Sequence, residues 1–241
     1  MVRKKVVPIA KPTIAEVLEQ FLAEQGKHLT AGTLAKYEKI VRLLEHCLNN
    51  YAYNSLDKAE EEFFDRLYNA KGAEHREFCE VFGPKHILPN VGEFLDYFMI
   101  RKVMASKETL RAAGTVTKKL AKWLAEKDYV ETEDAEMAAE RGGDAARELP
   151  EAAELAADLA DFAEGQEGED EGDVIEGHFT LTRVDPGKVW LEEMLDGRKI
   201  GPIEVPEEIS GRCRPGWTIS GIVGRRGQTW RLVAAWNVYP R

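Results

Sequence analysis

The side chains best suited to chemistry lie in one basic run. At 100° per residue, Lys107, Arg111, Thr115, Lys118 and Lys122 gather on one side of a helix, while Leu110, Ala113, Val116, Leu120, Trp123 and Leu124 gather on the other. A row of cations with a hydroxyl group in it suits contacts to phosphate and docking in a major groove. The same pattern also fits the solvated face of an ordinary surface helix. A second basic set, Arg212 and Arg214 in one loop and Arg225 and Arg226 at the tip of another, is also placed to touch phosphate.

Other chemistries find little support in the residue types. "GIVGRRGQ" lacks the Lys-Ser/Thr ending of a phosphate-binding loop, and no CxxC or HExxH occurs. His75 and Cys79 are four apart, but two ligands do not make a zinc site. Neither a metal nor a cofactor is predicted, and no catalytic residue is assigned. Glu192-Glu193 reads as a surface pair. Cys47, Cys79 and Cys213 form an odd set without a close pair, which argues against a disulfide framework and fits a reducing cytoplasm.

These residues must be carried by more than one element type, and charge shows where the divisions fall. Residues 1–130 hold 21 basic against 18 acidic residues, a net of +3. Residues 131–176 hold 2 against 18, a net of −16, and residues 177–241 hold 10 against 7, again +3. The overall charge of −10 therefore resides in one segment. Two mildly basic regions remain, which keeps nucleic acid open as a partner. No stretch approaches the roughly 20 apolar residues of a membrane helix, so no membrane partner is expected. Met1 to Pro12 reads as a frayed basic arm rather than a secretory signal.

Residues 12–130 read as a helical bundle. Thr13 with Glu16 makes a capping box before Ile14, Val17, Leu18, Phe21 and Leu22, and Gly26 ends that helix. A second helix from Thr30–Thr33 carries Leu34, Tyr37, Val41, Leu44 and Leu48. A third, from Asp57 to near Gly72, is expected to bury Phe63, Phe64, Leu67 and Tyr68. Asn90 with Glu93 is expected to cap a fourth, and the basic helix runs from Ser106 to about Lys127. One apolar stripe per helix calls for a bundle.

The stretches "TIAEVLEQFLAEQ", "TLAKYEKIVRLLEHCL" with Thr33 and Tyr37, and "VGEFLDYFMIRKVMASKETLRAAGTVTKKLAKWLAEKDYV" resemble the SAM-like core-binding domain of tyrosine recombinases (phage integrases). The resemblance covers residues 13–53 and 88–130, about half the chain. It implies a fold whose helices cross duplex DNA and enter its grooves. Residues 54–87 depart from it, being longer and more acidic than such a linker. The recombinases' second domain, with its Arg, Lys, His-x-x-Arg and nucleophilic Tyr, has no counterpart. None of His28, His46, His75, His86 and His178 has Arg three residues on, and Tyr239 reads as a barrel residue.

Residues 131–173 read as an acidic linker. Gly142-Gly143 is expected to interrupt it, and Pro150 to open a helix over 150–163. Three readings of the segment stay open: a solvated linker, a cover competing with nucleic acid for a basic surface, or a helix docking on a partner through Leu155, Leu159 and Phe162. "EGQEGEDEGD" has nothing apolar to bury and is expected to be disordered. From residue 174 to 241, five short strands with turns at Asp185-Pro186-Gly187 and Asp196-Gly197 suggest a small β-barrel of the OB or SH3-like kind. Pro202 suits an edge strand, and Trp190, Trp217, Trp230 and Trp236 are assigned chiefly to the core, at most one of them serving as a stacking platform. The fold class is thus a multidomain α plus β chain. The expected function is that of a cytoplasmic, non-catalytic DNA-binding protein, an accessory or regulator related to site-specific recombinases. It would hold duplex DNA through the bundle. The alternative is a protein-interaction adaptor without DNA binding, and an enzyme ranks third.

Overall fold

The N-terminal helices begin where a short polar side chain can take up free backbone N–H groups. The Glu16 N–H donates to Thr13 Oγ1 at 3.3 Å, and the Thr13 N–H donates to the Glu16 carboxylate at 2.8 Å, opening α1 (Ile14–Gln25). Thr30 caps α2 (Ala31–Tyr51), and Asp57 accepts from the Ala59 and Glu60 N–H groups to open α3 (Lys58–Tyr68). A short α4 (Phe78–Val81) follows. Residues Glu93–Phe98 wind as π-helix into α5 (Met99–Arg101), and α6 (Lys107–Glu126) and α7 (Thr132–Glu164) complete the helical part. The computed structural model describes residues 8–166 and 174–240, except for the side chain of Arg226. Most of the expected basic arm and of the "EGQEGEDEGD" tract lies outside the described residues.

The chain divides into two units: Met1–Met99 with Glu108–Ala146, and Ile100–Lys107 with Arg147–Arg241. The first, helical unit is cored by Ile14, Val17, Phe21, Ile40, Leu44, Leu48, Phe94, Leu95, Leu120 and Leu124. Phe21 joins three helices, its ring centroid 6.1 Å from Tyr37 and 5.4 Å from Trp123. Residues 54–87 are no loose insertion. Phe64, Phe78, Phe82 and His86 form an aromatic cluster, and the Ile14 N–H donates to Phe82 O at 2.8 Å. Two expectations need correcting here. Of the apolar residues on α3 only Phe64 is buried, and Tyr68 is 46% exposed. Asn90 caps nothing; it is buried and donates to His86 O at 2.8 Å.

The largest departure is α7. Most of the expected linker is one helix, running through Gly142-Gly143 and through Pro150. Its buried positions, Ala135, Ala138 and Ala139, then Gly142, Ala145, Leu149, Ala152, Leu155, Leu159 and Ala163, follow a three-to-four-residue spacing. This stripe is built mainly of alanine, so it gives a faint apolar signal beneath the acidic residues. The division between the units falls within the helix, between Ala146 and Arg147. In the helical unit α7 crosses α6 with backbones nearly touching. A Cβ added at Gly114 would lie 2.3 Å from Ala146 N and 2.4 Å from Gly142 O, and one at Gly142 would lie 2.7 Å from Lys118 N. Gly142 does not interrupt the helix; it permits the crossing. Proline inside a helix costs about 3 kcal/mol. Burial of Leu149, Leu155 and Leu159 on either side, at about 1.5–3 kcal/mol each, offsets that.

The second unit holds β1 (Val174–Asp185), β2 (Lys188–Glu193), β3 (Lys199–Glu204), the short α8 (Glu207–Ser210), β4 (Thr218–Arg226) and β5 (Thr229–Tyr239). They pair in the order β1-β2-β3-β5-β4, and β4 returns to β1, so the five-stranded sheet closes on itself. β3 is therefore not an edge strand. Pro202 falls where the β2 register shifts, and β3 meets β5 in parallel only through Ile203 and Trp230. Phe179, Leu181, Leu191, Ile203, Trp217, Val223 and Leu232 fill the interior. Glu193 is not a surface residue either: 5% exposed, it accepts from the Leu195 and Asp196 N–H groups at 2.9 and 2.8 Å and closes the β2–β3 turn.

Two measurements test this packing. Gly114→Ala should destabilise the protein by about 2 kcal/mol, because the new methyl group meets backbone. Gly143→Ala, whose methyl would meet only the flexible end of Lys118, should stabilise by about 0.5–1 kcal/mol. Equal effects in urea unfolding would refute the close crossing. His86 gives a pH test. Burial holds its imidazole below the ordinary value of 6.5, Nε2 lying 3.4 Å from Glu60 Oε1 without a hydrogen bond. Its neutral form is favoured on folding, so its contribution is present above 6.5 and is lost as pH falls through the depressed value. Melting temperature should drop over that range, and less so in His86→Gln.

Candidate nucleic-acid interface

Helix α6 is buried on two sides. Leu110, Ala113, Val116, Leu120, Trp123 and Leu124 enter the helical core, and Gly114 meets α7. The remaining face exposes Arg111, Thr115, Lys118, Lys119 and Lys122. Arg111, Lys118 and Lys122 have no ion-pair partner among the described residues. The Thr115 hydroxyl donates to Arg111 O at 2.9 Å, as an exposed helical threonine commonly does. Lys118 lies beside Gly143, where a Cβ would stand 3.4 Å from its Nζ.

The start of α2 extends this surface. Lys39 Nζ donates to Thr109 Oγ1 at 3.0 Å, and Lys36 Nζ stands 3.8 Å from Glu108, both groups well exposed. Between the helices opens a cleft of about 300 Å³ whose lining includes Thr33, Lys36, Tyr37, Arg111, Thr115 and Val116. Lys36, Lys39 and Lys119 were not among the residues singled out by the helical stripe. Lys36 and Lys39, one turn apart on a helix whose apolar stripe was clear, were the available signal.

The cations of the second unit are differently placed. Arg212 donates to Asp158 at 2.6 Å, Arg214 donates to Glu151 at 2.5 Å, and Lys107 pairs with Glu154. All three acceptors lie on α7. Such partly exposed pairs contribute about 0.2–1 kcal/mol each, so they do not by themselves hold the helix. Apolar contact does: Ala152, Leu155, Leu159 and Ala163 are buried in one cluster with Phe179, Leu181, Ile219 and Val238, and Phe162 packs against it. The face expected to dock on a partner is occupied by the chain's own sheet. Arg214 also lies over the Trp217 ring, 5.5 Å from its centroid.

Arg225 is not a free loop-tip cation. It is half-buried over Trp230, 5.7 Å from the ring centroid, with Nε buried and unpaired. The Arg226 backbone pairs with Thr229 in the hairpin, and its side chain lies outside the described residues. Among the tryptophans, Trp217 is core and Trp230 partly so, Trp190 is half-buried beneath Arg183 at 4.4 Å, and Trp236 is 49% exposed, against its core assignment. Tyr239 ends β5 with its ring 5.8 Å from His178.

Reactive chemistry finds little footing. Burial pushes the Cys47 and Cys213 thiols up to about 12 and raises Cys79 well above the ordinary thiol range, so all three stay protonated near neutrality. Among the described residues no three His, Cys, Asp or Glu side chains are grouped to hold a metal, and no helix is long and apolar enough to cross a membrane.

The hierarchy on α7 is testable. Leu155→Ala should cost about 3 kcal/mol in denaturant unfolding followed by tryptophan fluorescence, whereas Glu151→Gln or Asp158→Asn should cost under about 1 kcal/mol. The reverse order would make the ion pairs the main attachment. No protein-family model, curated protein or solved structure matches this chain.

Proposed function

We propose that the protein binds duplex DNA without acting on it chemically, and that it does so through the outer face of α6 together with the start of α2. One observation carries this reading. Arg111, Lys118 and Lys122 stand exposed and without ion pairs among the described residues, in a chain whose net charge is −10. Where acidic side chains are this abundant, chance would pair many exposed cations. Lys107, Arg212 and Arg214 show that outcome on the second unit. Arg111, Lys118 and Lys122 escape it because the flanks of α6 are taken up there by apolar core on one side and by glycine and alanine of α7 on the other; Lys107, the first cation of the expected stripe, does not escape it.

The helical unit is read as related to the core-binding domain of tyrosine recombinases, and the closed sheet as a barrel of the OB kind. A three-stranded meander followed by a crossover and return, in the order β1-β2-β3-β5-β4, supports the latter. An accessory or regulatory role beside such recombinases follows from the first reading. A protein adaptor remains the second, favoured by apolar side chains displayed on the sheet: Met194 is 61% exposed and Leu195 93% exposed at the β2–β3 turn, and Trp236 stands open on β5.

Binding of the whole chain to a short duplex across a salt series separates the two. DNA binding of this kind weakens steeply with salt. Replacing Arg111, Lys118 and Lys122 together with alanine should lower the slope of log K against log salt by roughly 0.9 for each phosphate that is no longer neutralised. Melting temperature should stay near that of the parent, since all three side chains are exposed. Absence of duplex binding at low salt would sink the DNA reading, and an unchanged slope would move the binding surface off α6.

A further inference from the structure

A row of cations that grips phosphates needs no cavity, yet one opens beside this row. Its walls are apolar: Ala112 and Val116 come from α6, and Tyr37, 8% exposed, comes from α2. Lys36, Glu108 and Arg111 also line it, the first two held 3.8 Å apart between the helices. An apolar cleft bordered by charge of both signs takes a ligand with a flat apolar body, polar edge groups and an anionic tail.

We propose that this cleft holds one unpaired nucleotide of a bound DNA strand, a proposal that rests on the duplex reading above and adds to it. The base lies against Tyr37, Ala112 and Val116. Arg111 and Lys36 meet its phosphate. The Glu108 carboxylate accepts from an exocyclic amino group, which adenine, cytosine and guanine carry and thymine lacks. A volume of about 300 Å³ lies at the lower end of ligand pockets and suits one nucleotide rather than two. The cleft is also preformed. The Lys39–Thr109 bond at 3.0 Å ties α2 to α6, and Phe21 of α1 braces both, stacking on Tyr37 with ring planes 25° apart and meeting Trp123 edge-on. Extracting a base from a perfect duplex costs a few kcal/mol, and least where the base is already unpaired. The favoured substrate is therefore a duplex carrying a bulge, a mismatch or a single-stranded end.

The test uses the full chain, fluorescence anisotropy and four probes at one salt concentration: a paired duplex, the same duplex with a single adenine bulge, a single strand and free dAMP. The bulged duplex should bind about tenfold tighter than the paired one, the range expected for one base on an aromatic wall. A thymine bulge should gain less. Ala112→Trp fills the cleft and should erase the preference while retaining the salt-dependent binding of paired duplex. Should that variant fail to fold, 2-aminopurine at the bulge reports on the parent protein. Its emission should change on binding, while the same base at a paired position should not. Equal affinity for bulged and paired duplex, a preference that survives in folded Ala112→Trp, or silent 2-aminopurine would overturn this inference and leave the duplex reading standing. Tight binding of dAMP without a bulge preference would overturn it in favour of a free nucleotide. No binding of any DNA would overturn both.

Discussion

The backbone contact between Gly114 and Gly142 decides which part of α6 is left to meet solvent. A helix packed on one side exposes a broad arc, in which charges of either sign settle. With α1 and α2 on one flank and α7 pressed against the other, α6 keeps a narrower strip, on which Arg111, Lys118, Lys119 and Lys122 stand between Glu108 and Glu126. Two glycines inside helices each cost about 0.5–1 kcal/mol relative to alanine. The close approach of a helix lined with Ala135, Ala138, Ala139 and Ala145 offsets this through contact over several turns. The proposed binding surface is thus a by-product of a tight crossing, and a bulkier residue at either glycine would disturb both.

Within the acidic segment, charge is organised by packing. The acidic residues of α7 are helix-surface residues whose opposite face is buried, so their positions are set by the alanine and leucine stripe. In the second unit that stripe presents Glu151, Glu154 and Asp158 to Arg214, Lys107 and Arg212. An acidic competitor that could be displaced from these cations would have to leave with Leu155 and Leu159, which are 0% and 1% exposed. The cost of uncovering two leucines, about 3–6 kcal/mol together, exceeds what three surface ion pairs return. The pairing is a permanent trait of the fold.

Elements with strong periodicity or sharp caps were legible in the sequence. The box at Thr13, the helix start at Asp57, the stripe of α6 and the five strands all rest on local signals that packing then reinforces. What escaped was α7, for a physical reason. Alanine adds little to hydropathy, glycine pairs read as breaks, and proline reads as a start, while the buried neighbours that outweigh these preferences are distant in sequence. The same cause hid the fates of Arg212, Arg214 and Arg225. A basic loop residue looks free until the carboxylate or tryptophan beside it is known, and Glu151, Asp158 and Trp230 became neighbours only through the tertiary fold. The α2 contribution was half visible, since Lys36 and Lys39 could be placed on a face but their approach to Thr109 and Glu108 could not.

Cations on a helix face supply affinity without choice, because phosphates are the same along any duplex. Choice needs a feature that some nucleic acids satisfy and others do not, and it must lie close enough to the cationic row to share one ligand. On α6 the side chains of Arg111 and Thr115 belong to both the exposed strip and the cleft, so a strand gripped at the first is already at the mouth of the second. Tyr37 reaches the same place from α2 because Phe21 backs its ring and Trp123 backs Phe21 in turn. The hydrophobic core thereby extends to the surface beside Lys36 and Arg111. A solvated helix face has no need of that arrangement, whereas the proposed recognition of an unpaired nucleotide depends on it.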